Sequence, residues 1–193
     1  MNSTDWTKIS NDPSSFEVYA ALKNELGAKQ IPACFDRIFY FAQLAEGKSV
    51  LDIGIVEHGH KYWDSTSWMH RYLHKSADKC LGIDIDENGI SNLKKRGYSV
   101  QVANATSDIF LGSTFDVIVA GEVLEHISRL ESFFDFCSRH AHAETKLLLS
   151  SPNPHYIWHM CKVLREGMCM QNAEHVAWLS PINILELCRR TSP

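Results

Sequence analysis

Short apolar runs alternate with amphipathic stretches along most of this chain. Five runs are mostly apolar throughout, rather than at every second position, which predicts strands buried on both faces. The predicted strands are residues 49–53, 80–83, 98–102, 115–120 and 146–150. Segments with helical periodicity lie between them, so the pattern predicts an α/β fold with a doubly wound, mainly parallel sheet covered by helices on both faces.

The connecting segments carry start and stop signals of helices. Residues 67–76 show apolar pairs at helical spacing. A second helix is predicted over residues 87–96, and it ends at Gly97, because glycine readily takes the left-handed conformation that often ends a helix. The sequence Ser-Arg-Leu-Glu at 128–131 predicts a capping box that opens a further helix. Ser180 and Pro181 predict the start of the last helix, with proline at its first position.

The first 46 residues are predicted to form a helical segment that packs on a domain formed by residues 47–193. One helical face is expected from Phe35, Ile38, Phe39 and Ala42. Gly27 and Pro32 divide the segment into two helices. The chain shows no internal repeat and no linker-like stretch, so a single globular unit is expected.

Composition narrows the classes of partner. The 193 residues carry a formal net charge of -4 and no basic run, which disfavours nucleic acid as a partner. No apolar run approaches the roughly 18 residues of a membrane span, so a cytoplasmic chain without an integral membrane segment is expected.

The six cysteines are scattered without a CxxC pair, which favours reduced core cysteines over disulfides or a cysteine-rich zinc site.

Candidate chemistry lies where the predicted strands end, because ligands of parallel sheets bind beyond the carboxyl ends of the strands. Gly54 follows the first strand and lets the backbone approach a ligand closely. Asp84 follows the second, where Rossmann-type sites bind the ribose hydroxyls of an adenosine cofactor. Each of these residues alone also fits an ordinary turn or a helix cap, and Asp86 is a candidate cap of the next helix. The evidence for a cofactor site therefore lies in the order and spacing of the residues at the strand ends.

The set of strand-end motifs resembles that of class I S-adenosylmethionine-dependent methyltransferases. Residues 50–54 resemble the first motif of that family, 81–84 the second and 115–127 the fourth. The sequence Glu-Val-Leu-Glu-His-Ile at 122–127 is similar to that of the branch that contains the ubiquinone-biosynthesis O-methyltransferases. Residues 151–154 and 172–176 fit the same branch. The resemblance implies a Rossmann-like fold and S-adenosylmethionine as the cofactor.

The resemblance also implies which residues bind the cofactor. They are Asp52, Gly54, Asp84, Ile85, Asn104, Ala105, Gly121, Glu122 and Val123. Asp84 is implied to bind the ribose, whereas Ile85, Asn104 and Ala105 are implied to surround the adenine. Gly54 and the residues 121–123 are implied to lie beside the methionine and the sulfonium, and Asp52 to organise the first turn.

Candidate catalytic residues are Glu125, His126 and His175. The first two follow the fourth strand, beside the implied methyl group, where they offer a general base. Together with Glu122 they also offer oxygen and imidazole ligands for a divalent cation, and capping of the next helix is a third interpretation. The resemblance implies that His175 lies in the segment that forms the wall of the acceptor site.

Two features depart from the family pattern. Val56 and His58 stand where the family has glycines, with Gly59 one place late, and a β-branched residue tolerates positive φ poorly. The turn is therefore expected to take another path, either as a longer loop that closes over the cofactor or as a degraded site. The antiparallel C-terminal hairpin of the family is expected to be missing, which leaves a sheet edge for a partner or an oligomer to cover.

These observations predict methyl transfer from S-adenosylmethionine to a small-molecule or glycan-type acceptor, with oxygen as the favoured atom. The alternative is a truncated or non-catalytic member of the fold that acts as a binding or scaffold protein. A nicotinamide-dependent oxidoreductase is disfavoured because the turn after the first strand lacks the G-x-G-x-x-G pattern.

Overall fold

One parallel sheet of five strands, in the order β3-β2-β1-β4-β5, organises the protein. The structure, a computed structural model, describes residues 5–28, 36–57, 62–169 and 172–191. Its strands are β1 (Ser49–Ile53), β2 (Lys79–Asp84), β3 (Val100–Val102), β4 (Phe115–Gly121) and β5 (Ala141–Ser150). The predicted α/β fold with a Rossmann-like, doubly wound parallel sheet is confirmed.

Helices connect the strands and cover the sheet. They are α1 (Phe16–Ala28), α2 (Arg37–Leu44), α3 (Met69–Ser76), α4 (Glu87–Lys95), α5 (Leu130–Arg139), α6 (Ile157–Glu166) and α7 (Pro181–Thr191). A single 3-10 turn (Leu124–His126) follows β4. Within the described ranges, no helix has both the length and the apolar character that crossing a membrane requires.

Successive residues of β4 face opposite helical layers, which explains why the strand is apolar at every position. Val117 and Val119 pack with the layer of α2 and α3. Ile118 and Ala120 pack on the opposite side, in the cluster that includes residues of α5 and α7. All four side chains are buried, so neither face of the central strands meets solvent.

The predicted capping box at 128–131 is wrong. The helix α5 begins at Leu130, and its N-cap is Arg129, whose side chain makes no capping bond. Because the helix starts later than the pattern suggests, Ser128 lies outside the capping position. The Arg129 guanidinium donates instead to the backbone carbonyl of Thr106 at 2.8 Å, which ties the start of α5 to the loop after β3.

The predicted apolar face of the second helix is only partly right. Ala42 is buried, but Phe39 is 65% exposed and Phe41 takes the core position against α3. Phe35 lies outside the described residues. The error arises because both phenylalanines fit an apolar face by hydrophobicity alone, and only the packing of α2 against α3 selects between them.

Candidate functional site

A cleft of about 900 Å³ opens at the carboxyl ends of β1, β2 and β4, where the strand order reverses between β1 and β4. Its volume lies in the range of small-molecule sites, roughly 300–1,000 Å³. Every predicted cofactor-binding residue except Asp52 lines it, namely Gly54, Asp84, Ile85, Asn104, Ala105, Gly121, Glu122 and Val123. Glu125, His126 and His175 line it as well, so one cleft joins both sets of candidates.

The first turn passes so close to the loop after β4 that only glycine fits at its start. Gly54 has φ of +79°, in the left-handed region, and its N–H donates to the Ile83 carbonyl at 2.9 Å. A Cβ at this position would overlap a methyl group of Val123. The backbone therefore forms the floor of the cleft between β1 and β4 without a side chain in the way.

The altered glycine turn takes the different path that the sequence predicts. Left-handed φ values fall on Gly54 and Glu57, not on Val56. Val56 is buried, and its methyl groups occupy the space that a side chain at Gly89 would need. Its N–H donates to Asp84 Oδ2 at 2.9 Å, so the turn is bonded to the end of β2. His58 and Gly59 lie outside the described residues.

The two acids at the end of β2 and just beyond it make different contacts. Asp86 caps α4, because its carboxylate accepts hydrogen bonds from the N–H groups of Asn88 and Gly89. Asp84 is half-buried in the cleft and holds the first turn, and Ile85 beside it is 70% exposed. A carboxylate therefore lies next to an exposed apolar side chain at this end of the cleft.

Asn104 and Ala105 lie at the same end of the cleft, after β3. The side-chain oxygen of Asn104 accepts bonds from the N–H and the hydroxyl of Thr106, at 2.9 and 2.8 Å. That oxygen therefore stabilises the turn at 104–106, and a ligand that donates a hydrogen bond to it would have to share it with Thr106.

Asp52 faces away from the cleft toward α3. Its Oδ2 accepts a hydrogen bond from Nδ1 of His70 at 2.8 Å, and both side chains are buried. Burial raises the pKa of the Asp52 carboxyl, and the hydrogen bond from His70 opposes that rise. Sequence reasoning missed His70, because nothing in its neighbourhood on α3 marks it as the partner of a residue on β1.

Glu125, His126 and His175 meet at the other end of the cleft. One ligand atom of each lies within 4.8 Å of the others, and the two imidazole rings stand edge to face with centroids 4.9 Å apart. The Glu125 carbonyl accepts a hydrogen bond from the Val176 N–H at 2.7 Å. This bond holds the segment that contains His175 against the 3-10 turn after β4. The sequence predicts Glu125 and His126 together after β4 and His175 in the wall of the acceptor site, and the structure brings the three together.

The environment of this cluster suits proton transfer. Glu125 is 2% exposed, and burial, followed by the charge of Glu122, raises the pKa of its carboxyl. The Ser151 hydroxyl donates to Glu125 Oε2 at 3.2 Å. Within the described ranges, the buried Nδ1 of His175 has no hydrogen-bond partner. A raised carboxyl pKa and an imidazole nitrogen without a partner are features of acid–base sites.

Glu122 separates from the other two members of the predicted cation trio. It has φ of +57°, an uncommon conformation for a residue other than glycine, and its carboxylate pairs with the Arg37 guanidinium. Arg37 also donates to the Ser150 hydroxyl at 3.0 Å. Sequence reasoning missed Arg37, which lines the cleft from the start of α2, because no predicted strand ends near it in the sequence.

Comparison with known proteins supports a single family. A family model described as a methyltransferase domain matches residues 27–191. The fold is similar to that of a TehB-like SAM-dependent methyltransferase from Corynebacterium glutamicum, at 19% identity and a TM-score of 0.56, over 93% of this chain and 84% of that chain. A SAM-dependent methyltransferase from Archaeoglobus fulgidus is similar at 16% identity and a TM-score of 0.59, over 81% and 68% of the two chains.

The N-methyltransferase NodS from Bradyrhizobium japonicum is also similar, at 16% identity and a TM-score of 0.52, over 87% of this chain and 81% of that one. No curated protein matches the sequence significantly. At these identities the solved structures support the fold, while the chemistry has to be argued from the site.

Proposed function

Because this chain belongs to the methyltransferase-domain family, we propose that it transfers the methyl group of S-adenosylmethionine to a small-molecule or glycan-type acceptor, with oxygen as the favoured atom. Family membership supports S-adenosylmethionine as the cofactor. The observation that carries the proposal is the single cleft, in which Asp84 lies among the cofactor candidates and the cluster of Glu125, His126 and His175 supplies proton-accepting groups.

The chain's own residues hold the cofactor in this proposal. Asp84 accepts hydrogen bonds from the ribose hydroxyls, Ile85 packs on the adenine, and Gly54 leaves room for the methionine part. The cofactor supplies a methyl group on a positively charged sulfur, which leaves as a neutral thioether. Since that leaving group needs no protonation, the protein's main contribution to transfer is to hold the two reactants close together and aligned.

An acceptor hydroxyl also has to lose its proton, and the cluster at the end of β4 accepts it in this proposal. In this proposal an acceptor hydroxyl held between the methyl group and this cluster gives its proton to Glu125 or His175, whose ligand atoms lie within 4.8 Å of each other. His126 lies edge to face against His175 and borders the same space. Glu174 also lines this part of the cleft, with its carboxylate 4.0 Å from His126 Nδ1.

A divalent cation is a second way to activate the acceptor at this place. The sequence predicts the trio Glu122, Glu125 and His126, but Glu122 is paired with Arg37, whereas His175 lies within reach of the other two. Carboxylate and imidazole ligands suit such an ion, which lowers the pKa of a bound hydroxyl. Loss of transfer with a chelator, restored by added magnesium or manganese, supports this role over that of a base.

Calorimetric titration with S-adenosylmethionine, S-adenosylhomocysteine and NAD tests the proposal. We expect both sulfur compounds to bind and NAD not to bind. Absence of binding by both sulfur compounds would contradict the proposed function. Binding without transfer to any of a panel of hydroxylated acceptors would instead favour the alternative of a binding or scaffold protein.

The substitution Asp84→Ala is expected to weaken the binding of S-adenosylhomocysteine by about 1–3 kcal/mol, because the hydrogen bonds to the ribose are lost together with the bond from Val56 that holds the first turn. The matched control is Asp86→Ala, which removes the cap of α4 and lowers the free energy of unfolding by about 0.5–2 kcal/mol. This control should leave the dissociation constant unchanged. Equal affinity of the Asp84 variant and the unmodified chain would show that the ribose is bound elsewhere.

A further inference from the structure

Two buried tryptophans donate hydrogen bonds to the backbone of the first turn. The indole N–H of Trp68 donates to the Ile55 carbonyl at 2.8 Å, and that of Trp63 to the Val56 carbonyl at 3.1 Å. Both indoles are almost completely buried. Consecutive carbonyls of the turn are therefore bonded to side chains that follow it in the sequence.

The side chains of the turn pack against the same rings. Ile55 and Val56 are buried in one apolar cluster with Trp63 and Trp68, whose ring centroids are 6.2 Å apart. In the family's glycine-rich turn, position 56 would have no side chain to bury. Here the two apolar side chains anchor the turn from below, and the indole N–H groups satisfy its buried carbonyls.

The opposite side of the turn is bonded to β2. The Gly54 N–H donates to the Ile83 carbonyl and the Val56 N–H to Asp84 Oδ2, each at 2.9 Å. The turn is thus held between the end of β2 and the two indoles. Losing an indole donor would leave a buried carbonyl without its partner, and the turn would relieve this by changing its path.

We infer that Trp63 and Trp68 are positioning residues of the cofactor site, which hold the turn at 54–57 in the path that admits the cofactor. Neither tryptophan lines the main cleft, so their effect on affinity would act through Ile55 and Val56. This inference rests on the proposed function for its binding readout. It goes beyond that function because it explains how a turn that lacks the usual second glycine keeps a defined shape.

The substitution Trp68→Phe keeps an aromatic ring in the cluster and removes the N–H donor. If only a fraction of the molecules keeps the turn in the competent path, the apparent dissociation constant rises by the inverse of that fraction. Loss of one hydrogen bond of ordinary strength corresponds to an increase in the apparent dissociation constant of up to about tenfold. Trp63→Phe, whose bond is longer, is expected to have the smaller effect of the two.

The experiment compares the full chain with Trp68→Phe, Trp63→Phe and the control Trp6→Phe. Trp6 also donates an indole N–H, to Glu186 of α7 at 2.7 Å, and it does not line the cleft. We expect the dissociation constant for S-adenosylhomocysteine to rise about five- to tenfold with Trp68→Phe and to stay unchanged with Trp6→Phe. Folding of each variant is verified by its thermal transition before titration.

Amide hydrogen exchange of the ligand-free chain provides the second readout. We expect the Val56 N–H to exchange faster in Trp68→Phe and Trp63→Phe than in the control, because its bond to Asp84 depends on the path of the turn. Folded tryptophan variants with unchanged exchange at Val56 and unchanged affinity would overturn the inference. If the unmodified chain binds no S-adenosylhomocysteine, the proposed function fails, while the exchange rates still decide whether the indoles position the turn.

Discussion

Replacing His70 with leucine is expected to lower the free energy of unfolding by about 3–5 kcal/mol, because Asp52 then remains buried without its partner. The two side chains are 1% and 5% exposed, and the bond between them is 2.8 Å long. Leucine fills most of the volume of the imidazole, so the loss reports the unpaired carboxyl rather than a cavity. Urea denaturation at neutral pH measures the effect.

Two control variants show which interaction accounts for the loss in free energy of unfolding. His74→Leu changes an exposed histidine one turn later on α3 and should alter the free energy of unfolding by about 0.5 kcal/mol or less. The double variant Asp52→Leu with His70→Leu removes the buried pair together and should be more stable than His70→Leu alone. A loss of free energy below about 1 kcal/mol in the single variant would show that the buried Asp52 side chain does not depend on its hydrogen bond to His70.

Replacing Glu125 with glutamine is expected to slow methyl transfer by a factor of about 100 or more, the usual contribution of a general base. Glutamine keeps the size of the side chain and an oxygen that accepts the Ser151 hydroxyl, but it cannot take a proton. The rate of S-adenosylhomocysteine formation is measured with any acceptor that the unmodified chain methylates. Cofactor affinity, measured by calorimetry, should stay unchanged.

The pH profile of the rate separates this role from a structural one. Burial raises the pKa of the Glu125 carboxyl, and a base acts only when it is ionised, so the rate should increase with pH through that raised pKa. This rise should disappear in Glu125→Gln and persist in Glu131→Gln, which changes an exposed residue of α5. A normal rate in Glu125→Gln would exclude Glu125 as the base.

The central strands were predictable because a strand buried on both faces has to be apolar throughout. β1 was located at its observed bounds and β4 to within one residue. The edge strand β5 begins at Ala141, five residues before its predicted start, because most of its first residues are polar or exposed and give no apolar signal. Helix details were less predictable. Whether Phe39 or Phe41 enters the core, and whether Ser128 or Arg129 precedes α5, depends on packing between elements, which local patterns do not contain.

The same distinction applies to the site. Gly54, Asp84 and Glu125 were predictable because the carboxyl ends of parallel strands meet at one edge, so position along the chain indicates position in space. Arg37 and His70 approach that edge from helices, and no spacing rule links them to it. The role of Trp68 depends on the path of the turn that it bonds, which the departure from the glycine pattern left open.

The family that the match shows is broader than the branch that the sequence motifs resemble. The match over residues 27–191 is to a general methyltransferase domain, so the ubiquinone-biosynthesis O-methyltransferase branch stays a prediction. In the proposed function the acceptor binds at the end of the cleft with Glu125 and His175, where an amine would need less help in losing a proton than a hydroxyl. Comparing hydroxyl and amine acceptors therefore separates the two classes at the same site.

A crystal structure of the chain with S-adenosylhomocysteine tests the central claim most directly. The account predicts the ribose hydroxyls on the Asp84 carboxylate, the adenine against Ile85, and the sulfur beside Gly121 with the space toward Glu125 and His175 open for an acceptor. A ligand bound outside this cleft, or bound inside it with its ribose away from Asp84, would contradict the account.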